Sequence, residues 1–507
     1  MTRFTQSSRL TSPLCTILLL TTTSALPTIT SRDSTALSAN KAQSTIEWST
    51  CPKEVGASLQ CGNLSVPIDW DQPGGEHFTL GMVKLPAISS NSTKKIGSLF
   101  VNPGGPGGSA AEIVPFFGPG APGFDETLRA SFDIIGLDPR GVGLSNQIQC
   151  DMTIYAERVS LFPQTEEEYE KLVDKNRRLG ESCRKLTGPL FEHLDTISAT
   201  KDHEAVRVAL GDEPINFLGL SYGSQLGYTY ADLFPNNVRT LALDGILQHS
   251  QSEATNSLIE SSSYELVLNK FFDWAGKNES SKLKGQDVEA LWKSLLEKAT
   301  TTPIPASKCN GKNCYKDVNA EEIAFNAQQY LTFYGRNPNF GSTWSVLANA
   351  LYNASHGDAT SLSTVNSAQN VAFLGIACLD WTHNDNTLAA IRAKETQATE
   401  YSPLTRGASQ SWILQHACLG WPVPIKNPPK KLDVKTKATI LLANSVADPS
   451  CGLPWALGMM EELENRVLVT RDGAGHTSFL LGGETQKVIS DYLVTGKAPK
   501  DGLVTKS

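Results

Sequence analysis

A serine set between two glycines, Gly219-Leu-Ser221-Tyr-Gly223, follows the apolar run 215–220 and precedes a helical stretch, 224–233, that ends at Pro235. A sharp strand-to-helix turn lifts a serine hydroxyl above a sheet edge, and glycines flank it because the turn has no room for larger side chains. Such a hydroxyl is a weak nucleophile near neutral pH and needs a positioned base. The chain has 8 histidines. His476 stands apart, because Asp472-Gly-Ala-Gly-His476 follows the last expected strand and its glycines let the imidazole reach over the sheet. Asp448, in Val446-Ala-Asp448-Pro, comes just after the preceding strand, where it can orient that imidazole. Asp472 is the rival acid, but its closeness to His476 suits a backbone turn better. Ser221, His476 and Asp448 are thus the candidate nucleophile, base and acid of an acyl-transfer site.

Acyl transfer also needs donors for the oxyanion. Asn102-Pro-Gly-Gly-Pro-Gly-Gly-Ser109 follows a strand candidate, 97–101, and can turn backbone N–H groups toward the serine. One donor is expected from Gly104 or Gly105 and the other from Tyr222, the residue after the nucleophile. A phosphate loop is excluded, since no Gly-Lys-Ser/Thr follows. Asp138-Pro-Arg-Gly-Val-Gly-Leu-Ser145 reads as a tight turn after the next strand.

The elements that must position these groups form an α/β pattern. An initial antiparallel hairpin is expected from the runs 64–68 and 78–85 around Gln72-Pro73-Gly74-Gly75. Buried-strand candidates at 97–101, 132–137, 215–220 and 238–243 then alternate with helical stretches such as 167–184 and 201–210. That alternation implies a mostly parallel sheet with helices on both faces. From 250 to 432 the pattern turns helical: Val288, Leu291, Trp292, Leu295 and Leu296 repeat at helical spacing, and Asn319 with Glu322 reads as a capping box. Strands resume at 438–443 and 466–470. The expected layout is a signal peptide 1–25, a flexible leader 26–50, a core 51–249, a helical cap insertion 250–432 with a small core of its own, and the C-terminal core 433–507.

The opening residues have a basic start (Arg3, Arg9), a short apolar stretch, 14–20, and the small residues Thr23-Ser24-Ala25, the pattern of a secretory signal too short to span a bilayer. No later segment reads as a membrane anchor. A net charge of −8 with no clustered basic run argues against nucleic acid. Of 10 cysteines, Cys15 leaves with the signal. Cys51/Cys61 and Cys309/Cys314 read as disulfide loops and Cys150/Cys183 as a third; with Cys378, Cys418 and Cys451 the nine remaining cysteines are an odd count, so one thiol is unpaired and sequence does not say which. Zinc at Cys309-x4-Cys314 lacks partners at ligand spacing. Sequons at Asn63, Asn91, Asn278 and Asn353 fit a secreted glycoprotein. No metal or organic cofactor is implied.

Gly104-Gly-Pro-Gly-Gly-Ser109, Asp138-x-Arg-Gly-x-Gly-x-Ser145, Gly219-x-Ser-Tyr-Gly223, Leu243-Asp-Gly245 and the Asp448/His476 set resemble the secreted tripeptidyl aminopeptidases. These are relatives of the prolyl aminopeptidases within the α/β-hydrolases, and the order Ser, Asp, His is that of the fold. Pro103 stands where prolyl aminopeptidases usually carry histidine, as is usual in the tripeptidyl branch. The likeness runs from about Cys51 to Leu493. It implies an α/β-hydrolase with a helical cap, hydrolysing peptides near a free amino end. An esterase or amidase acting on small non-peptide substrates is the second reading, and a catalytically dead binding protein the third. An aminopeptidase needs a carboxylate for the substrate's ammonium group. Asp380, in Cys378-Leu-Asp380-Trp381, is the candidate from the cap, against a purely structural role in capping or pairing.

Overall fold

The run Ile215–Leu220 has apolar side chains on both sides of the pleat, which suits a strand covered on both faces. In the computed structural model it is a fully buried strand of a ten-stranded sheet. The structure describes residues 45–506, apart from 53–54, 57–58, 89–94, 212, 312, 333–342 and 366–367. The signal-peptide segment, most of the leader and the Asn91 sequon lie outside the described residues.

The strands are β1 (Glu47–Thr50), β2 (Gln60–Pro67), β3 (His77–Leu85), β4 (Gly97–Asn102), β5 (Phe132–Leu137), β6 (Ile215–Leu220), β7 (Val238–Asp244), β8 (Ile304–Pro305), β9 (Asp317–Val318), β10 (Ile440–Ala447), β11 (Arg466–Ala474) and β12 (Leu503–Lys506). The main sheet runs β1-β2-β3-β5-β4-β6-β7-β10-β11-β12. Pairing is antiparallel from β1 to β5 and parallel from there to β12. The hairpin β2–β3 and the central strands stand where the apolar runs predict them. Strand β1 is a correction: its four residues fall inside the expected leader and pair with β2 from Glu47 onward. The Cys51–Cys61 disulfide ties the two strands together where their pairing ends. β12 carries too short an apolar signal to be expected from sequence.

Alternation sorts the strand residues onto two faces. Ile215 and Phe217 of β6 join Ile440 and Leu442 of β10 on one face, under helices Thr196–Ala209 and Tyr222–Leu233. Leu218 and Leu220 join Leu441 and Ala443 on the other, under helix Gly483–Thr495. Between β7 and β10 the chain is mainly helical. Helices Glu253–Lys277, Val288–Thr301, Ala320–Gln328 and Thr343–Ser355 pack a core of their own around Phe271, Trp292, Leu347 and Leu351. The capping box at Asn319 and Glu322 opens the third of these. Helices Ala368–Asp380 and Gln410–His416 behave differently, adding Leu374, Ala377 and Leu414 to the main core. A Cys378–Cys418 disulfide links the two. The first four helices thus share a cluster that also takes in Ala447 and Ala474 at the ends of β10 and β11, while the later two join the sheet's own packing.

Candidate active site

Ser221 sits at the turn from β6 into helix Tyr222–Leu233 with φ 58° and ψ −124°. L-residues with side chains adopt such a conformation only under constraint, and it marks a site. The constraint comes from close backbone approach. A Cβ on Gly219 would lie 2.2 Å from the Gly223 carbonyl oxygen, and one on Gly223 would lie 2.7 Å from the Asn102 carbonyl oxygen. The Ser221 N–H donates to the Asp244 carbonyl at 2.8 Å, which fixes the turn to the end of β7.

His476 follows β11, and its backbone N–H donates to the Thr332 carbonyl at 2.7 Å. Its Nδ1 lies 2.8 and 2.9 Å from the two Asp448 oxygens. Asp448 is buried and also accepts the backbone N–H groups of Ser450 (2.9 Å) and Cys451 (2.7 Å). Nδ1 therefore carries the hydrogen, leaving Nε2 as the basic nitrogen. Burial works to lower the His476 pKa, but the charge and hydrogen bond of Asp448, with Asp244 and Glu260 behind it, hold it above its ordinary value. Asp244 braces the loop by accepting the N–H groups of Ser478 and Phe479, each at 2.6 Å. Burial pushes its carboxyl up to about 6. Gly245 lies against the pair: a Cβ there would be 3.4 Å from His476 Cε1 and 3.6 Å from Asp448 Oδ2. Asp472 is not the group on the imidazole.

The glycine-rich loop after β4 presses onto the serine turn. A Cβ on Gly104 would fall 2.8 Å from both Ser221 Cβ and Tyr222 N. Of the two donors expected from this loop, Gly104 has its N–H bonded to Asn102 Oδ1 at 2.9 Å. Gly105 lines the Ser221 cavity. Tyr222 is the first residue of its helix, so its N–H has no intrahelical acceptor.

Asp380 does not face this cavity. It is fully buried beneath the turn, where its carboxylate accepts Thr196 N–H (3.0 Å), Asn427 Nδ2 (3.3 Å), Gln225 Nε2 (3.3 Å) and the Thr196 hydroxyl. Burial, helped by the charge of Asp195, pushes its pKa up to about 8. Asp380 is not among the residues that line the Ser221 cavity, so it does not meet a substrate ammonium group there. The cavity carries a different acid, which sequence reading missed. Asn256 and Glu260, one turn apart on helix Glu253–Lys277, line it together with Ser221, Trp381, Ser411 and Trp455. Glu260 accepts from Gln328 Nε2, Gln410 N–H and Ser411, and burial raises its pKa. Asn256 is buried and its Oδ1 has no hydrogen-bond partner. The signal was present as a polar stripe, Asn256, Ser257, Glu260 and Ser261, at helical spacing in a helix whose later turns are apolar.

Cys451 is the free thiol among the described cysteines, with Sγ 4.0 Å from Ser221 Oγ. The other eight form Cys51–Cys61, Cys150–Cys183, Cys309–Cys314 and Cys378–Cys418. Of the sequons, Asn63 and Asn353 are exposed, and Asn278 is partly buried at a helix end with Oδ1 accepting from Ser280. Among the described residues no helix is long and apolar enough to cross a membrane.

Residues 97–345 match the model of the alpha/beta hydrolase fold, and residues 402–505 match that of TAP-like proteins. Over 491 residues the chain is 26% identical to the serine protease Hip1 of Mycobacterium tuberculosis, covering 90% of each. It is also 26% identical to the tripeptidyl aminopeptidase of Streptomyces lividans, over 92% of this chain and 87% of that protein. A third relative, carboxylesterase B of Mycobacterium tuberculosis, is 26% identical over 90% of this chain and 89% of its own.

Proposed function

From the premise that this chain is an α/β-hydrolase with a TAP-like C-terminal part, we propose that it is a secreted serine exopeptidase that releases residues or short peptides from the free amino end of peptides. The observation that carries the reading is a single cavity in which the Ser221 turn faces Glu260 and the unpartnered Asn256 Oδ1. An ammonium group that leaves water needs a nearby negative charge and an open acceptor, which Glu260 and Asn256 Oδ1 would supply. In the proposed cycle His476 Nε2 takes the proton of Ser221 Oγ as the oxygen attacks the substrate carbonyl. Asp448 holds the imidazolium, and the N–H groups of Gly105 and Tyr222 receive the oxyanion. His476 then gives the proton to the leaving amine, and water resolves the acyl-enzyme by the same path. The relatives named serine protease and tripeptidyl aminopeptidase support peptide substrates. Four disulfides support an oxidising compartment, with residues 1–25 removed on export and glycans on exposed sequons.

An esterase reading is favoured by the apolar remainder of the cavity, Phe373, Leu414 and Trp455, and by the relative named a carboxylesterase. Peptide p-nitroanilides of increasing length, each with a free or acetylated amino end, run beside small neutral esters, separate the two. The exopeptidase should lose most turnover on acetylation. Glu260→Gln should depress free-amine peptides far more than esters. Equal rates on acetylated and free substrates would transfer the assignment to the esterase.

A further inference from the structure

Helices are commonly closed at the start by a side chain that bonds back to the first turn. Ser221, at that position before helix Tyr222–Leu233, makes no such bond. A nucleophile cannot spend its hydroxyl on capping, so Tyr222 must be held by other means. Its side chain supplies them. The Tyr222 hydroxyl lies 2.5 Å from Thr196 Oγ1, and Thr196 Oγ1 is bonded to Asp380 Oδ2. Thr196 N–H donates to Asp380 Oδ1 at 3.0 Å, so the first residue of helix Thr196–Ala209 grips both carboxyl oxygens. With Asp380 ionised the hydrogens run from Tyr222 through Thr196 to the carboxylate. With Asp380 protonated they run the other way, and the three groups stay linked in both states. Next along the chain, Trp381 packs against the Tyr222 ring at 6.4 Å between centroids, and the Asp380 carbonyl oxygen lies 2.7 Å from His249 Nε2. The end of helix Ala368–Asp380 is thereby fastened to the residue whose backbone N–H borders the serine.

We propose that Asp380 is a positioning residue that acts through Thr196 and the Tyr222 hydroxyl to keep the Tyr222 N–H aimed at the oxyanion. The proposal rests on the reading of Ser221 as nucleophile and Tyr222 N–H as oxyanion donor. Oxyanion donors accelerate reactions because they are already oriented when charge develops, so a loosened donor lowers kcat without weakening ground-state binding.

The full chain carrying Tyr222→Phe, Thr196→Val or Thr196→Ser tests it, with kcat and KM measured on a small ester and on a free-amine peptide anilide. Tyr222→Phe and Thr196→Val should each lower kcat about tenfold on both substrates with KM unchanged, a fraction of the loss that follows removal of a donor. Thr196→Ser, which keeps the hydroxyl, should restore kcat. The double variant should be no worse than the worse single one, because the groups act as one chain. Unchanged kcat in both single variants overturns the proposal even if their melting temperature falls. A loss confined to free-amine peptides also overturns it, placing the network in amine recognition. If the wild-type protein turns over neither substrate and its Ser221 resists a fluorophosphonate, the underlying assignment fails instead. Tyr222→Phe removes one hydroxyl from a buried ring, so the test survives any misfolding of Asp380 variants.

Discussion

At the residue scale, charge and burial set the pH behaviour expected of Ser221, His476 and Asp448. A base works as neutral imidazole, and a raised pKa keeps His476 protonated to higher pH. The acid limb of kcat/KM should therefore have its midpoint above about 6.5, the unperturbed value. Asp448→Asn should move that midpoint down, since the carboxylate is what outweighs burial. A flat profile between about pH 5 and 8 would remove His476 from the role of base. Ser221→Ala and His476→Ala should each cost on the order of 10⁴-fold or more in kcat while the melting temperature stays near that of the wild type. Near-normal turnover by purified Ser221→Ala protein would end the assignment. The contact of His476 with Asp448 was legible because each stands, like Ser221, on a short loop directly after a strand. Sequence left Asp380 between a substrate-binding and a structural role because it shows which residues neighbour a carboxyl along the chain, and its partners Thr196, Gln225 and Asn427 come from elsewhere.

Among the elements, the strand-to-helix turn at Ser221 has no room for an added side chain at its glycines. An added methyl at Gly219 would meet the Gly223 oxygen at 2.2 Å, so Gly219→Ala must move the turn. A displacement of about 1 Å at a reacting group costs on the order of 10²-fold, which is the expected fall in kcat/KM. Gly74→Ala, where nothing lies within 4 Å of the added carbon, is the control and should leave the rate unchanged. A rate drop in Gly74→Ala equal to that in Gly219→Ala would show that the steric argument is wrong. The Cys378–Cys418 bridge closes a chain separation of 40 residues within the helical insertion. Replacing both cysteines with alanine should lower stability by about 2–4 kcal/mol, read as a fall in the denaturation midpoint. An unchanged midpoint would mean the packing of Leu374, Ala377 and Leu414 already suffices.

Across the whole molecule, what was readable follows from what is local. A strand covered on both faces must be apolar along its length, and an elbow turn must place glycines beside its serine. The sheet, the helical insertion and the order of serine, aspartate and histidine could therefore be written down from patterns of a few residues. Disulfides between cysteines close in sequence were legible for the same reason. The tertiary structure alone decided matters that depend on residues far apart in the chain. Asn102, at the end of its strand, takes the Gly104 N–H on its side-chain oxygen. The first insertion helix places Glu260 on the Ser221 cavity, whereas Asp380 is buried against Thr196, whose hydroxyl also meets that of Tyr222. Pairing of Cys378 with Cys418 leaves Cys451 as the buried thiol beside Ser221. Burial, and the partners that come with it, is a property of packing. Two carboxylates of the insertion, Glu260 and Asp380, thus part into one that lines the Ser221 cavity and one that does not only when the chain closes around them.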